Sequence, residues 1–274
     1  MTNPSALDLP AFEAVAARVD GAVLYLTLNR PEVRNAMSLR MVTELRLALA
    51  AAEQSGAIRV VVLRGAGGHF CAGGDIKDMA AARMKQAVEG EDPMAGVNAQ
   101  FGHLCAAFGR TPLALVAVLE GTVMGGGFGL ACVADVALAG ASVAFRLPET
   151  SLGVVPAQIA PYLVERIGYS HAKRLAVTGA KIAADEALAI GLVHEVHAGD
   201  VLDAALARVL GDILQCAPDA VAQTKRLVAK ARFTPPVDLV EEAALVFSRA
   251  LQGPEGVEGT TAFVQKRKPK WAPQ

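Results

Sequence analysis

Neither sign of charge dominates this sequence, no two of its cysteines are spaced as a ligand pair, and no apolar run is long. Its 274 residues carry 26 Lys and Arg against 27 Asp and Glu, a formal net charge of −1 at pH 7. That balance gives no electrostatic footprint for nucleic acid or an anionic membrane, so an anionic ligand would have to be held by local groups. Cys71, Cys105, Cys132 and Cys216 stand singly, with no C-x-x-C spacing. Neither a metal site nor a disulfide framework is expected, and reduced thiols in a cytoplasm fit best. Apolar runs such as Leu113 to Leu119 fall far short of the ~20 residues that cross a bilayer. Met1 to Ser5, with acidic residues soon after, form neither a secretory nor an import leader. There is no G-x-x-x-x-G-K-[ST], no G-x-S-x-G and no H-E-x-x-H, and the glycine clusters are not G-x-G-x-x-G. The only close histidines, His194 and His197, read as solvated or capping residues.

What is abundant is apolar residue, 53% against 19% charged, more than an ordinary monomer needs for its core. Subunit interfaces are therefore expected to cover part of the surface. Along the chain, Ala22 to Leu28 reads as a strand, Ser38 caps a helix that runs down to Ser55-Gly56, and Ile58 to Arg64 is a buried strand. Residues around Val88 to Met94 read as a loose loop, Leu113 to Leu119 as a strand and Val136 to Ala139 as another. Beyond Pro156 helical periodicity takes over, with Gly191 as a helix end and Pro236 to Leu251 as the last helix before a basic tail, Lys266 to Lys270. The fold class is α/β, divided into a core over 1–195 and a helical C-terminal region over 196–274 suited to oligomerisation.

Two glycine clusters carry the chemical signal. Gly73-Gly74 stands before Asp75-Ile76 and a helix; Gly125-Gly126-Gly127 stands before Phe128-Gly129-Leu130 and another. Helix N-termini present unpaired N–H groups and partial positive charge, and a missing Cβ lets a ligand come close. Facing each other, such loops would form a hole for an oxygen that gains negative charge. Taken singly, each cluster is equally a tight turn. Neither supplies a proton acceptor; Glu149, in the apolar segment Phe145 to Gly153, would gain a raised pKa if buried there, and taken alone is equally a surface glutamate in a loop.

In order, Asn29-Arg-Pro-x-x-x-Asn-Ala36, Phe70-Cys-Ala-Gly-Gly-Asp-Ile76, Gly121-x-x-x-Gly-Gly-Gly127 and Pro148-Glu149 with Leu152-Gly153 and Pro156 resemble the marks of the crotonase, or enoyl-CoA hydratase/isomerase, superfamily. The resemblance covers the chain from about residue 12 to its end. It implies a spiral of ββα units with a helical trimerisation region, a homotrimer or a dimer of trimers, and acyl-CoA thioester chemistry through an enolate. No cofactor is implied, coenzyme A being part of the substrate. Carried over by position, the oxyanion donors would be the N–H groups of Gly74 and Gly126, beside Gly73 and Gly125, and Glu149 would be the base. Ala72 falls where the adenine is received, Arg34 and Lys77 near the pantetheine and phosphate entrance, and Phe263 and Lys266 in a tail element brought to the CoA end. Read without the resemblance, that basic tail is equally a solvated one.

The sequence departs from the two-glutamate pattern of such hydratases: Gly129 stands where the first acid would be, and only Glu149 remains. Gly129 with Pro156-Ala-Gln-Ile-Ala-Pro161 is similar to the methylglutaconyl- and isohexenylglutaconyl-CoA hydratases, which implies a branched, carboxylated enoyl thioester. One glutamate also suits a Δ3,Δ2-enoyl-CoA isomerase, which moves one proton with one base. A non-catalytic acyl-CoA-binding protein is a third reading, motivated by Gly129. The acyl pocket would be lined by apolar residues around Met79 to Met94.

Overall fold

In the computed structural model, which describes Leu7, residues 9–84 and residues 92–273, the first strand is one that the sequence pattern hides. β1 (Val15–Asp20) buries little besides Val15. It is an edge strand, antiparallel to β2 (Val23–Leu28), and its Arg18 guanidinium lies 4.0 Å above the Tyr25 ring. Edge strands need no apolar alternation, which is why this one reads as loop. Ser38 caps α1 (Leu39–Ser55) by accepting from Met41 N–H, as expected, and Gly56 ends it in the left-handed region. β3 (Val60–Gly65) then runs parallel to β2. After it come α2 (Ile76–Met84) and α3 (Pro93–Arg110).

Helix α3 corrects the loop expected around Val88 to Met94. Val88 to Glu91 lie outside the described residues, and Pro93 opens a helix whose first N–H groups, those of Met94 and Ala95, donate to Asp92. Then follow β4 (Ala114–Leu119), β5 (Thr122–Met124), α4 (Gly126–Val133), β6 (Val136–Gly140) and β7 (Ala144–Arg146). α5 (Ala160–Thr178), β8 (Lys181–Ala183), α6 (Ala184–Ala189) and β9 (Glu195–His197) come next. Last are α7 (Gly199–Gln215), α8 (Pro218–Ala231), α9 (Val240–Gln252) and α10 (Pro254–Val264). β8 and β9 are strands beyond Pro156 that the helical periodicity there conceals.

One sheet has the order β1-β2-β3-β4-β6-β9 and a smaller one the order β5-β7-β8. The order strand, strand, helix recurs as β1-β2-α1, β4-β5-α4 and β6-β7-α5, and the later pairs each give one strand to either sheet. This is the expected spiral of ββα units. Leu115 to Leu119 are fully buried, as a central strand covered on both faces must be.

Contacts divide the chain into one unit of residues up to Gly109 with Leu115–Leu206, and another of Arg110–Ala114 with Ala207–Gln274; residue 195 falls in β9. Within the second unit, α10 follows α9, so Pro236 to Leu251 does not hold the last helix before the basic tail. Pro254 starts a helix instead of ending one, and Glu255 accepts from the N–H groups of Asp219 and Ala220 at the start of α8. The basic tail is tied down by Glu258, which accepts two bonds from Arg267 and one from Lys270 N–H. Those donors hold its carboxyl down to about 2, the Arg267 hydrogen bonds first among them.

Asn35 staples the loops of the first unit together. Its fully buried side chain accepts from Arg30 N–H at 2.8 Å and donates to Ala66 O at 2.9 Å and His69 O at 2.6 Å. Asn35→Ala would remove the partner of these half-buried groups and put alanine at φ 57°, so unfolding free energy should fall by about 2–3 kcal/mol. Urea denaturation checks this through a lower midpoint at unchanged slope.

Candidate active site

The loop from Cys71 to Asp75 is held on both sides by main chain. Cys71 N–H donates to Thr122 O and Met124 N–H to Cys71 O, at 3.0 and 2.9 Å, which stitches the loop along β5. On its other side Met37 N–H donates to Gly73 O at 2.7 Å and Asp75 N–H to Met37 O at 3.0 Å. Asp75 then begins α2 by accepting from Lys77 N–H at 2.8 Å and from Arg30 at 2.7 Å. Burial would raise the Asp75 pKa, but the Arg30 hydrogen bond and charge, with the Lys77 N–H, outweigh it and hold the carboxyl below its usual range. The Arg30-Pro31 and Asn35-Ala36 motif thus positions the glycine loop.

The second loop leaves β5 at Met124 and turns through Gly125, at φ 48° and ψ −118°, straight into α4. Only glycine takes this conformation without strain, and here a side chain would also have no room. A Cβ built on Gly125 would stand 3.1 Å from Glu149 Oε1, 3.2 Å from Gly73 Cα and 3.9 Å from Gly74 N. Both glycine loops and the glutamate therefore meet at one point. Gly74 N–H and Gly126 N–H find no acceptor among the described residues; the latter is the first residue of α4, where N–H groups have no intrahelical partner.

Glu149 begins a 3₁₀ turn, Glu149–Leu152, directly after β7 and Pro148. The turn is secured by Val154 N–H donating to Glu149 O at 3.0 Å, by Ser151 Oγ donating to Pro148 O at 2.6 Å and by Thr150 Oγ1 donating to Ala176 O at 2.9 Å. Glu149 Oε2 is buried without a hydrogen-bond partner. Burial raises the carboxyl pKa, against only its own backbone N–H pulling the other way. A proton-carrying carboxylate beside two unoccupied N–H donors can move a proton while an oxygen gains charge.

Gly129 is buried one turn into α4, and a Cβ there would lie 3.0 Å from Phe101 Cζ and 3.3 Å from Ile159 Cγ1. The space that a first acid would need is thus filled by an α3 ring and an isoleucine. Neither residue was singled out from sequence; the available signal was a glycine inside an apolar helix, which needs a large neighbour to close the gap.

The model of the enoyl-CoA hydratase/isomerase family matches residues 18–274. The chain belongs to that family. An enoyl-CoA hydratase/isomerase from Marinobacter aquaeolei is similar in structure, with a TM-score of 0.92 at 50% identity over 95% of this chain and 99% of that one. Pseudomonas aeruginosa AtuE gives 0.91 at 51% identity over 95% and 100%. Among curated proteins, the mevalonyl-coenzyme A hydratase SIDH of Beauveria bassiana is 34% identical over 91% of each chain. These findings bear out the crotonase fold and an enzyme of the hydratase/isomerase type acting on acyl-CoA.

Of the residues singled out from sequence, Gly73, Gly74, Gly125 and Glu149 come together as described, with Gly126 following Gly125 in chain. Ala72 is half-buried and its N–H donates to Arg34 O at 2.9 Å; the Arg34 and Lys77 side chains are exposed. Phe263 ends near the close of α10 and Lys266 follows it, both exposed, in the other unit. His194 accepts from Ala137 N–H at 2.9 Å and His197 pairs with Glu195 at 2.7 Å, both at the β9 edge. Among the described residues no helix is long and apolar enough to cross a membrane.

Gly68 has φ +75° with open space around its Cβ position, whereas Gly125 combines φ +48° with close neighbours. Gly68→Ala should therefore cost about 1 kcal/mol of left-handed strain, and Gly125→Ala about 2–3 kcal/mol or more. Paired urea unfolding curves check the difference.

Proposed function

We propose that this family member hydrates an enoyl-CoA thioester with Glu149 as its single acid–base group and the N–H groups of Gly74 and Gly126 as its oxyanion donors. The observation that carries this is the buried, unpartnered Oε2 of a carboxylate with a raised pKa, set where the two glycine loops converge. Water adds its oxygen to C3 as Glu149 takes the proton, and the C2=C3 electrons move to the thioester oxygen, held by the two N–H groups. Glu149 then returns the proton to C2, the carbonyl re-forms, and one water has been added. Filling of the Gly129 surroundings by Phe101 and Ile159 supports a one-carboxylate cycle. The same filling favours a second reading, isomerisation, in which Glu149 carries a proton between C2 and C4.

For the acyl group we favour a branched glutaconyl type, supported by the Pro156 to Pro161 segment, by the missing first acid, and by a relative named as a mevalonyl-CoA hydratase. Arg34, Ala72 and Lys77 are assigned to the CoA entrance, with Phe263 and Lys266 as the tail element at the CoA end. The C-terminal region is assigned to assembly into a trimer or a dimer of trimers, supported by exposed Val240, Leu245, Phe247, Val257 and Val264. A cytoplasmic setting is supported by the absence of any disulfide among the described residues.

Glu149→Gln keeps the size but not the proton acceptor, so turnover should fall roughly 10²-fold or more while CoA-ester affinity holds. In the wild type, the acid limb of kcat/KM should lie above the ordinary glutamate range, because only the ionised form takes a proton from water. The stability consequence has the opposite sign. A carboxyl whose pKa is raised on folding contributes its full stability below the unfolded pKa and loses it as pH rises through the folded one. Glu149→Gln should accordingly raise Tm at pH 7, with the gain vanishing below the unfolded glutamate pKa. Near-full activity in that variant would place the base elsewhere. Product analysis separates the two reactions: a trans-2-enoyl-CoA should give a 3-hydroxyacyl product, and turnover of 3-enoyl-CoA alone would favour isomerisation.

Sedimentation at micromolar concentration should show a trimer or larger species; a stable 28.4 kDa monomer would count against the assembly.

A further inference from the structure

Phe101 takes no proton in the chemistry above, yet it lies against two of the three glycines of α4, Gly126 and Gly129. Its Cε2 would stand 3.3 Å and its Cζ 3.4 Å from a Cβ on Gly126, and its Cζ 3.0 Å from a Cβ on Gly129. One ring therefore covers the first turn of α4, beside the N–H assigned to the thioester oxygen. Phe101 as a residue is half-buried. Its place along α3 is fixed locally. Gln158, next to Ile159, donates from Nε2 to Asn98 Oδ1 at 2.9 Å. The Gln158 Oε1 occupies the space a Cβ on Gly102 would take, at 2.2 Å. Asn98, Phe101 and Gly102 are spaced three and four apart, so they share one helix face. A glutamine laid across a glycine thus clamps α3 beside the ring, and Ile159, next along from that glutamine, meets the same Gly129 position at 3.3 Å.

Resting on the proposed thioester site, we propose that Phe101 is the specificity-determining residue for the substituent at C3 of the acyl chain. An acyl-CoA whose carbonyl oxygen bonds to Gly126 N–H carries C3 two bonds beyond the carbonyl carbon, within reach of a ring in van der Waals range of Gly126. A methyl branch at C3 fills space against the ring that a straight chain leaves empty. A discrimination of this kind, one methyl group against an apolar wall, is worth about 10-fold or more. Phe101 thereby replaces a second acid with a shaped apolar surface.

The test compares binding of butyryl-CoA and isovaleryl-CoA, saturated thioesters that differ only by a methyl on C3, by calorimetry on the full-length protein. The wild type should prefer isovaleryl-CoA by about 10-fold. Phe101→Ala should bring the two affinities within about 2-fold of each other while butyryl-CoA affinity changes less, and Phe101→Leu should fall between. Thermal melts of both variants establish that they fold, and Phe101→Leu carries the test if Phe101→Ala does not. An unchanged ratio in a folded variant overturns the proposal, as does equal binding of the two esters by the wild type. Failure of the base assignment shows separately, because Glu149→Gln alters turnover and leaves this ratio alone. If neither ester binds at all, the thioester site itself is wrong and this inference falls with it.

Discussion

Gly125 and Glu149 approach each other so closely that the site depends on an atom that is not there. Glu149 Oε1 lies 3.1 Å from where the side chain of residue 125 would begin, and Gly73 Cα 3.2 Å from the same missing atom. Two loops from different parts of the chain can therefore converge on one carboxylate with their N–H groups turned outward. The surrounding hydrogen bonds exist to hold this crossing in place: β5 pairs with Cys71, Met37 pairs with Gly73 and Asp75, and Asn35 ties the turns behind them. Most of these bonds are backbone to backbone, which resist drift because neither partner has rotamers to lose.

That rigidity matters because the carboxylate it serves is poorly solvated. An ionised carboxyl with a buried oxygen and no donor costs folding free energy, and a scaffold selected only for stability would supply a partner. Gly74 N–H and Gly126 N–H, on the loops that converge there, find no acceptor among the described residues. Leaving acceptor and donors unsatisfied a few ångströms apart makes sense when a ligand completes both. The non-catalytic reading finds no such reason for the arrangement, and the family to which the chain belongs is one of enzymes.

Legibility from sequence followed the range of the interaction. β2, α1 and β3 were readable because their burial is periodic along the chain, and Ser38 and Gly56 mark the ends of α1 by local chemistry. The glycine loops were readable because a helix start is local as well. β1 was not, since an exposed edge strand carries no apolar alternation. α10 was misread because Gly253-Pro254 signals a helix start and a helix stop with the same two residues. The convergence on Glu149, and above all the ring of Phe101 over Gly126 and Gly129, were not legible: they depend on how α3 packs on α4, and no local pattern encodes that packing.

Gly129 shows how an absence acquires meaning only with its surroundings. From sequence it was a lost acid, open to repair by putting a glutamate back. In the folded chain its neighbours lie close about the position, with Phe101 Cζ 3.0 Å and Ile159 Cγ1 3.3 Å from where a Cβ would stand. An added side chain would press on both, and its carboxylate would be an anion among apolar atoms. In the proposed cycle the apolar filling leaves Glu149 to take up and return the proton alone, so that one carboxylate serves where the two-glutamate hydratases use a pair.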